Sequence, residues 1–193
     1  FLNAVCESGI CVREFGAKGD EINNDSAPIQ SSIVACSKAG GGTVRVPAGD
    51  YFCGPIKMES GVTLHLETGA TLWASTNKND YGSGSSGHFL IADGARDIAL
   101  TGGGTINGQG AADYGDRWGV PQKPAFRTGV LLFSNSRNIR IEGVTILNSD
   151  AWTLHFKRCE DIVIDGVTIR NNYRRLNSDG IDPNMCRNVR ISR

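Results

Sequence analysis

The sequence carries no excess charge of either sign. Its 20 Lys and Arg balance 20 Asp and Glu, for a formal net charge of zero. That argues against a protein that grips nucleic acid mainly by charge, which carries a basic excess. Long apolar runs are missing too. Val130 to Phe133 is typical of the longest, against the roughly 18 residues that a membrane-spanning helix needs. Cysteine is sparse, six in 193 residues, and no CxxC pair occurs, so neither a disulfide scaffold nor a zinc site is expected. The six leave two readings open: one or two disulfides, or buried thiols. The glycine-rich stretch from Tyr81 to Gly87 lacks both a lysine and the spacing of a phosphate-binding loop. No cofactor and no metal is expected.

What is plentiful is glycine, 25 in 193 residues, with no collagen period. Glycine at about twice its usual share of roughly 7% fits a fold with many tight corners. The corners recur. Asn138-Ile139-Arg140-Ile141-Glu142-Gly143-Val144-Thr145-Ile146 returns 23 residues later as Asp161-Ile162-Val163-Ile164-Asp165-Gly166-Val167-Thr168-Ile169. A further copy begins at Asn188-Val189-Arg190-Ile191, and an earlier one is Asp97-Ile98-Ala99-Leu100-Thr101-Gly102. The stretch from Gly108 to Arg127 reads as a loop inserted into that earlier unit. Each unit is two short alternating strands joined at a glycine, then a third strand such as Trp152-Thr153-Leu154-His155-Phe156.

A three-strand repeat of this length predicts an all-β fold, a right-handed single-stranded parallel β-helix. Each coil is too thin to bury its own inward face, so coils must stack about 4.8 Å apart. Asn107, Asn148 and Asn171 fall just past the second strand of their units and are expected to bond from coil to coil. The first sixty residues differ. Asn24-Asp25-Ser26-Ala27-Pro28 signals a helix start, with a capping side chain and Pro in the first turn. Ile29, Ile33 and Cys36 then follow at helical spacing, and Gly40-Gly41-Gly42 ends the run. This helix is expected to cap the open end of the solenoid. One domain is expected over 1–193, with 1–60 as cap and first coil and 61–193 as coils. No cap is apparent at the other end, so the solenoid is expected to run on past Arg193.

Several of these blocks resemble glycoside hydrolase family 28, the polygalacturonase family. They are Phe15-Gly16-Ala17-Lys18-Gly19-Asp20, Val46-Pro47-Ala48-Gly49, Gly104-Thr105-Ile106-Asn107-Gly108, and Asn148-Ser149 with Trp152 and His155. The most specific is Asn177-Ser178-Asp179-Gly180-Ile181-Asp182-Pro183, with Ser178 where the family more often has Thr. The resemblance implies inverting hydrolysis of α-1,4-galacturonosyl linkages in pectin by three aspartates. Asp179 maps onto the first of them, one of two that activate water. The other two form an Asp-Asp pair in the following coil, which this sequence does not contain, so the chain alone is expected to be nearly inactive.

The same resemblance has Asn177 orient the sugar or neighbouring side chains and puts His155 on a strand that lines the substrate groove, where it either contacts substrate or simply packs, while Arg174 and Arg175, in the loop before the motif, either pair with uronate carboxylates or are simply solvated. Trp152 either stacks on a sugar ring or points away, and Asp182 is read as a turn residue. The implied partner is an acidic polysaccharide met outside the cytoplasm, extracellular or periplasmic, by a protein that is a monomer at full length. Competing readings are a rhamnogalacturonan hydrolase, a calcium-dependent pectate lyase, and a non-catalytic β-helix such as an adhesin.

Overall fold

The computed structural model describes residues 9–82, 86–110, 126–172, 175 and 177–193. Among these, three parallel sheets of seven, six and five strands run the length of the molecule. Successive strands in each sheet come from successive coils, so the chain winds as a parallel β-helix, as the repeat predicts.

Register is set by the inward side chains. In the first sheet Val44, Leu64, Leu100, Ile141, Ile164 and Ile191 stack one above another, with Ile98, Ile139, Ile162 and Val189 beside them. The 23-residue repeat is therefore a physical stack, since Ile139 pairs directly with Ile162. The second sheet contributes Tyr51, Leu72, Ile106, Ile146 and Ile169. The third contributes Leu90, Leu131, Leu154 and Ile181, with Ala92, Phe133, Phe156 and Pro183 in the next column. A one-residue slip would turn a whole column outward, at roughly 1.5–3 kcal/mol per large side chain, and this pins the coils in register. The corners are as tight as the glycines suggest. A Cβ on Gly102, at φ 109°, would collide with the Leu66 carbonyl of the coil below.

Helix α1 spans Ser26–Lys38 and closes one end, burying Ile29, Ile33 and Cys36. Its start differs from expectation. Asp25 makes no side-chain cap. Its buried carboxylate instead accepts the Lys18 and Gly19 amides at 2.6 and 2.9 Å, tying the preceding loop down. Asn24 Oδ1 takes the Ser26 amide at 2.9 Å. The helix also protects a sheet edge. Gln30 donates from Nε2 to the Lys57 carbonyl at 3.0 Å and accepts the Lys57 amide at Oε1 at 2.8 Å. A side-chain amide thus stands in for one peptide unit of a neighbouring strand. All five described cysteines are free thiols; Cys6 lies outside the described residues.

Polar side chains also stack. Asn148 Nδ2 donates to Asn107 Oδ1 at 3.3 Å, as expected, whereas Asn171 turns to other partners described below. A second ladder, not foreseen, marks the start of the first-sheet strands. Asp97, Asn138, Asp161 and Asn188 share φ values of 57°, 52°, 58° and 53°. Asn138 donates to Asp97 at 2.6 Å and Asn188 to Asp161 at 2.9 Å. Asn and Asp tolerate the left-handed region better than other residues with a Cβ, and alternating them turns like-charge repulsion into hydrogen bonds. Asn138→Ala should therefore cost about 1–3 kcal/mol, a left-handed penalty plus a lost hydrogen bond, and Asn138→Gly clearly less. Urea denaturation measures both; equal losses would show that the backbone conformation is not what asparagine supplies.

Candidate active site

The outward face of the third sheet carries the residues singled out by sequence. Its strands Ser86–Asp93, Arg127–Ser134, Leu154–Lys157 and Ile181–Asn184 lie in register. Inward positions fill the core, so Ile91, Leu132, His155 and Asp182 form one outward row, and Ser134, Lys157 and Asn184 the next. His88 pairs with Gly129, whose lack of a side chain leaves room for the imidazole. His155 sits between two rings: the Trp152 indole edge-on at 4.7 Å and the His88 ring at 6.2 Å. Trp152 is 41% exposed despite its size, so it faces the groove and not the core.

The Asn177-Ser178-Asp179 segment is docked onto this face by backbone hydrogen bonds. Thr153 and Leu154 amides donate to the Asp179 and Gly180 carbonyls at 2.9 and 3.1 Å. Asn171 fixes it from beneath. Its Nδ2 donates to Thr153 Oγ1 at 2.6 Å and to the Ser178 carbonyl at 3.1 Å, while its Oδ1 accepts the Ser149 amide at 2.9 Å. Asn177 holds φ 54° and is exposed, and the Asp179 side chain is left facing solvent. The structure thus brings together Asp179, Asn177, His155, Trp152 and Asp182.

The two arginines fare differently. Arg174 lies outside the described residues, as does most of the inserted loop. Arg175 departs from a solvent-facing loop cation. Its side chain is 1% exposed, and Nη2 lies 2.6 Å from Asp150 Oδ1. Asp150 also faces Arg127, whose Nε is 3.7 Å from the same oxygen and whose Nη2 donates to the Asp150 carbonyl. Arg127 Nη1 reaches Asn177 Oδ1 at 3.2 Å. A buried carboxylate with two guanidiniums thus braces the loop that carries the motif. Breaking such a pair from one side leaves a charge stranded in a dry setting, which is costly. Nothing in the spacing of the sequence marks Asp150 as a partner, since 23 residues separate it from Arg127.

Asp182 is more than a turn residue. It lies in a strand opposite His155, and burial pushes its carboxyl up, with the charge of Asp179 adding and His155 opposing. Burial pushes His155 down; Asp182 pulls it back up and Lys157 lowers it further. Among the described residues, His155 Nδ1 and Asp182 Oδ2 are buried without a hydrogen-bond partner. His88, which sequence reasoning missed, is pushed down to about 4, chiefly by burial and then by His155. The stacking of Gly87-His88-Phe89-Leu90 under Thr128-Gly129-Val130-Leu131 was the available signal. No group of three or more His, Cys, Asp or Glu suited to a metal occurs among the described residues.

The sequence profile of Glycosyl hydrolases family 28 matches residues 36–193. A protein named "Probable polygalacturonase" from Vitis vinifera is 31% identical, over 92% of this chain and 40% of that protein. The chain spans about two-fifths of the length of the curated relatives it matches. The crystal structure of a hyperthermoactive exopolygalacturonase from Thermotoga maritima superposes with a TM-score of 0.83 at 24% identity, over 96% of this chain and 51% of that one, and shares the fold. PfbA, a surface adhesin of Streptococcus pneumoniae, superposes with a TM-score of 0.69 at 26% identity, over 84% and 39%.

His88 generates a pH dependence. Its value near 4 in the folded chain lies below the ordinary 6.5, so between these pH values the unfolded chain binds more protons. Stability therefore rises with pH across that window and is lost as pH falls towards 4. Between about pH 7 and about pH 4.5 the urea midpoint of the wild type should fall further than that of His88→Gln. Equal falls would mean that His88 titrates as it would in water.

Proposed function

Because the chain belongs to glycosyl hydrolase family 28, we propose that the protein it forms part of hydrolyses galacturonosyl linkages in an acidic, pectin-like polysaccharide, with inversion. The observation that carries this reading is the placement of Asp179. An exposed carboxylate sits on a segment docked by hydrogen bonds from the Thr153 and Leu154 amides and the Asn171 side chain, beside an outward-facing Trp152 and His155, on a rigid sheet.

In this reading Asp179 takes a proton from water as the water oxygen attacks the anomeric carbon from the face opposite the leaving group. The glycosidic C–O bond breaks, and a protonated carboxyl delivers its proton to the departing oxygen. Inversion requires the two carboxyl groups to stand ~6.5–9.5 Å apart, with room for that water between them. Trp152 offers a ring face to the sugar. Asn177 and His155 bind hydroxyls or orient Asp179. Arg175 and Arg127 act from behind, through Asp150, by keeping the loop in place. The family resemblance assigns the acid to an Asp-Asp pair that this sequence does not contain. The substrate is a wall polymer, so the protein works outside the cytoplasm, extracellular or periplasmic.

In the complete protein, Asp179→Asn should lower kcat on polygalacturonate by about 10²–10⁴ while the thermal transition and KM stay close to wild type. Reducing-end release is the assay. An ultraviolet-absorbing unsaturated product would replace hydrolysis by elimination. A complete protein that binds the polymer and cleaves nothing would place it with the non-catalytic β-helices.

A further inference from the structure

His88 lies outside every block that carries the family resemblance, yet it shares a cluster with Trp152 and His155. It is half-buried on the strand Ser86–Asp93, two coils before the strand of His155. Gly129 occupies the coil between and pairs with His88. A Cβ on Gly129 would stand 2.7 Å from Cδ2 and 3.0 Å from Nε2 of His88, and 2.8 Å from the Trp152 carbonyl oxygen. The imidazole thus takes the space that a side chain at position 129 would fill. It crosses a whole coil and arrives under the Trp152 peptide, with the His155 ring at 6.2 Å.

The strand that carries His88 is clamped on both sides of it. A Cβ on Gly87 would stand 2.5 Å from Tyr81 Cδ1, so the Tyr81 ring covers that position. Tyr81 is fixed in turn, because its hydroxyl donates to the Ser75 carbonyl at 2.7 Å and its ring lies 5.3 Å from that of Phe126. On the other side Phe89 and Leu90 are fully buried. Trp152 has no such setting. Its indole is largely open to solvent and meets the edge of His155 at 4.7 Å. An open ring keeps one orientation only if something beneath it restricts its rotamers. Burial holds His88 uncharged at neutral pH, so it brings shape to this spot and no positive charge for a carboxylate.

We infer that His88 is a positioning residue of the candidate site: through the gap at Gly129 its imidazole props the Trp152–His155 pair and holds the indole upright in the groove. The inference rests on the reading of Asp179 as a glycosidase carboxylate and deepens it, by naming a residue two coils away that prepares the surface on which a sugar would stack. His88 acts through Trp152 and His155 and does not reach the reacting atoms. Asp179 is secured separately, by the Thr153 and Leu154 amides and by Asn171 beneath its segment. Loss of the prop therefore weakens the hold on substrate and leaves the chemical step alone. In kinetic terms KM rises while kcat stays. Glycine at 129 is part of the device, since any larger residue there would push the imidazole out and press on the Trp152 carbonyl.

The test uses the complete protein and two readouts. One is the kinetics of reducing-end release from purified oligogalacturonates. The other is the near-ultraviolet circular dichroism of the free protein, in which Trp152→Phe identifies the Trp152 band. His88→Ala should raise KM about three- to tenfold, keep kcat within about twofold and weaken the Trp152 band. His88→Gln, an uncharged flat amide of comparable reach, should restore most of both. Gly129→Ala keeps the histidine but fills its gap, and should shift KM and the band in the same direction as His88→Ala. It serves in place of His88→Ala if that variant does not fold. An unchanged KM with an unchanged band would overturn the inference and leave the hydrolase reading intact. A fall in kcat at constant KM would also overturn it, because a smaller folded fraction produces that pattern. A weakened band in a complete protein that releases no reducing ends would keep the positioning role and overturn hydrolysis.

Discussion

Direct stacking of like on like is the constraint from which the rest of this structure follows. Parallel strands paired in register place each side chain over its counterpart one coil below, at about 4.8 Å. Apolar counterparts make a continuous column, and Val44 to Ile191 is one such column across six strands. Polar counterparts must either bond or repel. The Asp97, Asn138, Asp161, Asn188 series meets this by alternating acceptor-only carboxylates with amides that donate. The same rule forces Gly102 where the Leu66 carbonyl comes close, and brings Gln30 in from α1 where a strand lacks a neighbour.

Function inherits the same geometry. Docking the Asn177-Ser178-Asp179 segment through the Thr153 and Leu154 amides extends the stacking pattern into a loop, so that Asp179 is positioned by the ladder itself. Charge is then handled on two levels. Behind the loop, Asp150 balances Arg127 and Arg175 in a setting with little water, which rewards one arrangement and penalises departures from it. On the groove side, His88, His155 and Asp182 are pushed towards their neutral forms, chiefly by burial.

Much of this was legible in the sequence because it repeats. The pairing of Ile139 with Ile162, the span of α1 and the glycine corners each follow from a period or a local signal. What was not legible depends on partners far apart in the chain and outside the repeat. Asp25 lies within the helix-start signal, yet its carboxylate binds the Lys18 and Gly19 amides of the preceding loop. Arg175 reads as a loop charge until Asp150, 25 residues earlier, is folded against it. Asp182 precedes a proline and so reads as a turn, yet it pairs with His155 in a strand at the edge of its sheet. Local rules find the coils, and only the closed solenoid finds these contacts.

Stacking also bears on how an inverting site can be built on such a surface. A carboxylate placed directly over Asp179 in the next coil would stand about one rung away, near enough to share a water but inside the ~6.5–9.5 Å that an inverting pair needs. A residue one step along that strand is displaced by a further ~3.3 Å and points the other way. Under the proposed hydrolysis, two adjacent aspartates in the following coil, as the family resemblance implies, would therefore stand at different distances from Asp179. Asp182 is not one of that pair, since it sits three positions along Asp179's own strand segment, opposite His155. Its carboxyl is raised chiefly by burial and then by the charge of Asp179, so it belongs to the electrostatic surroundings of that residue.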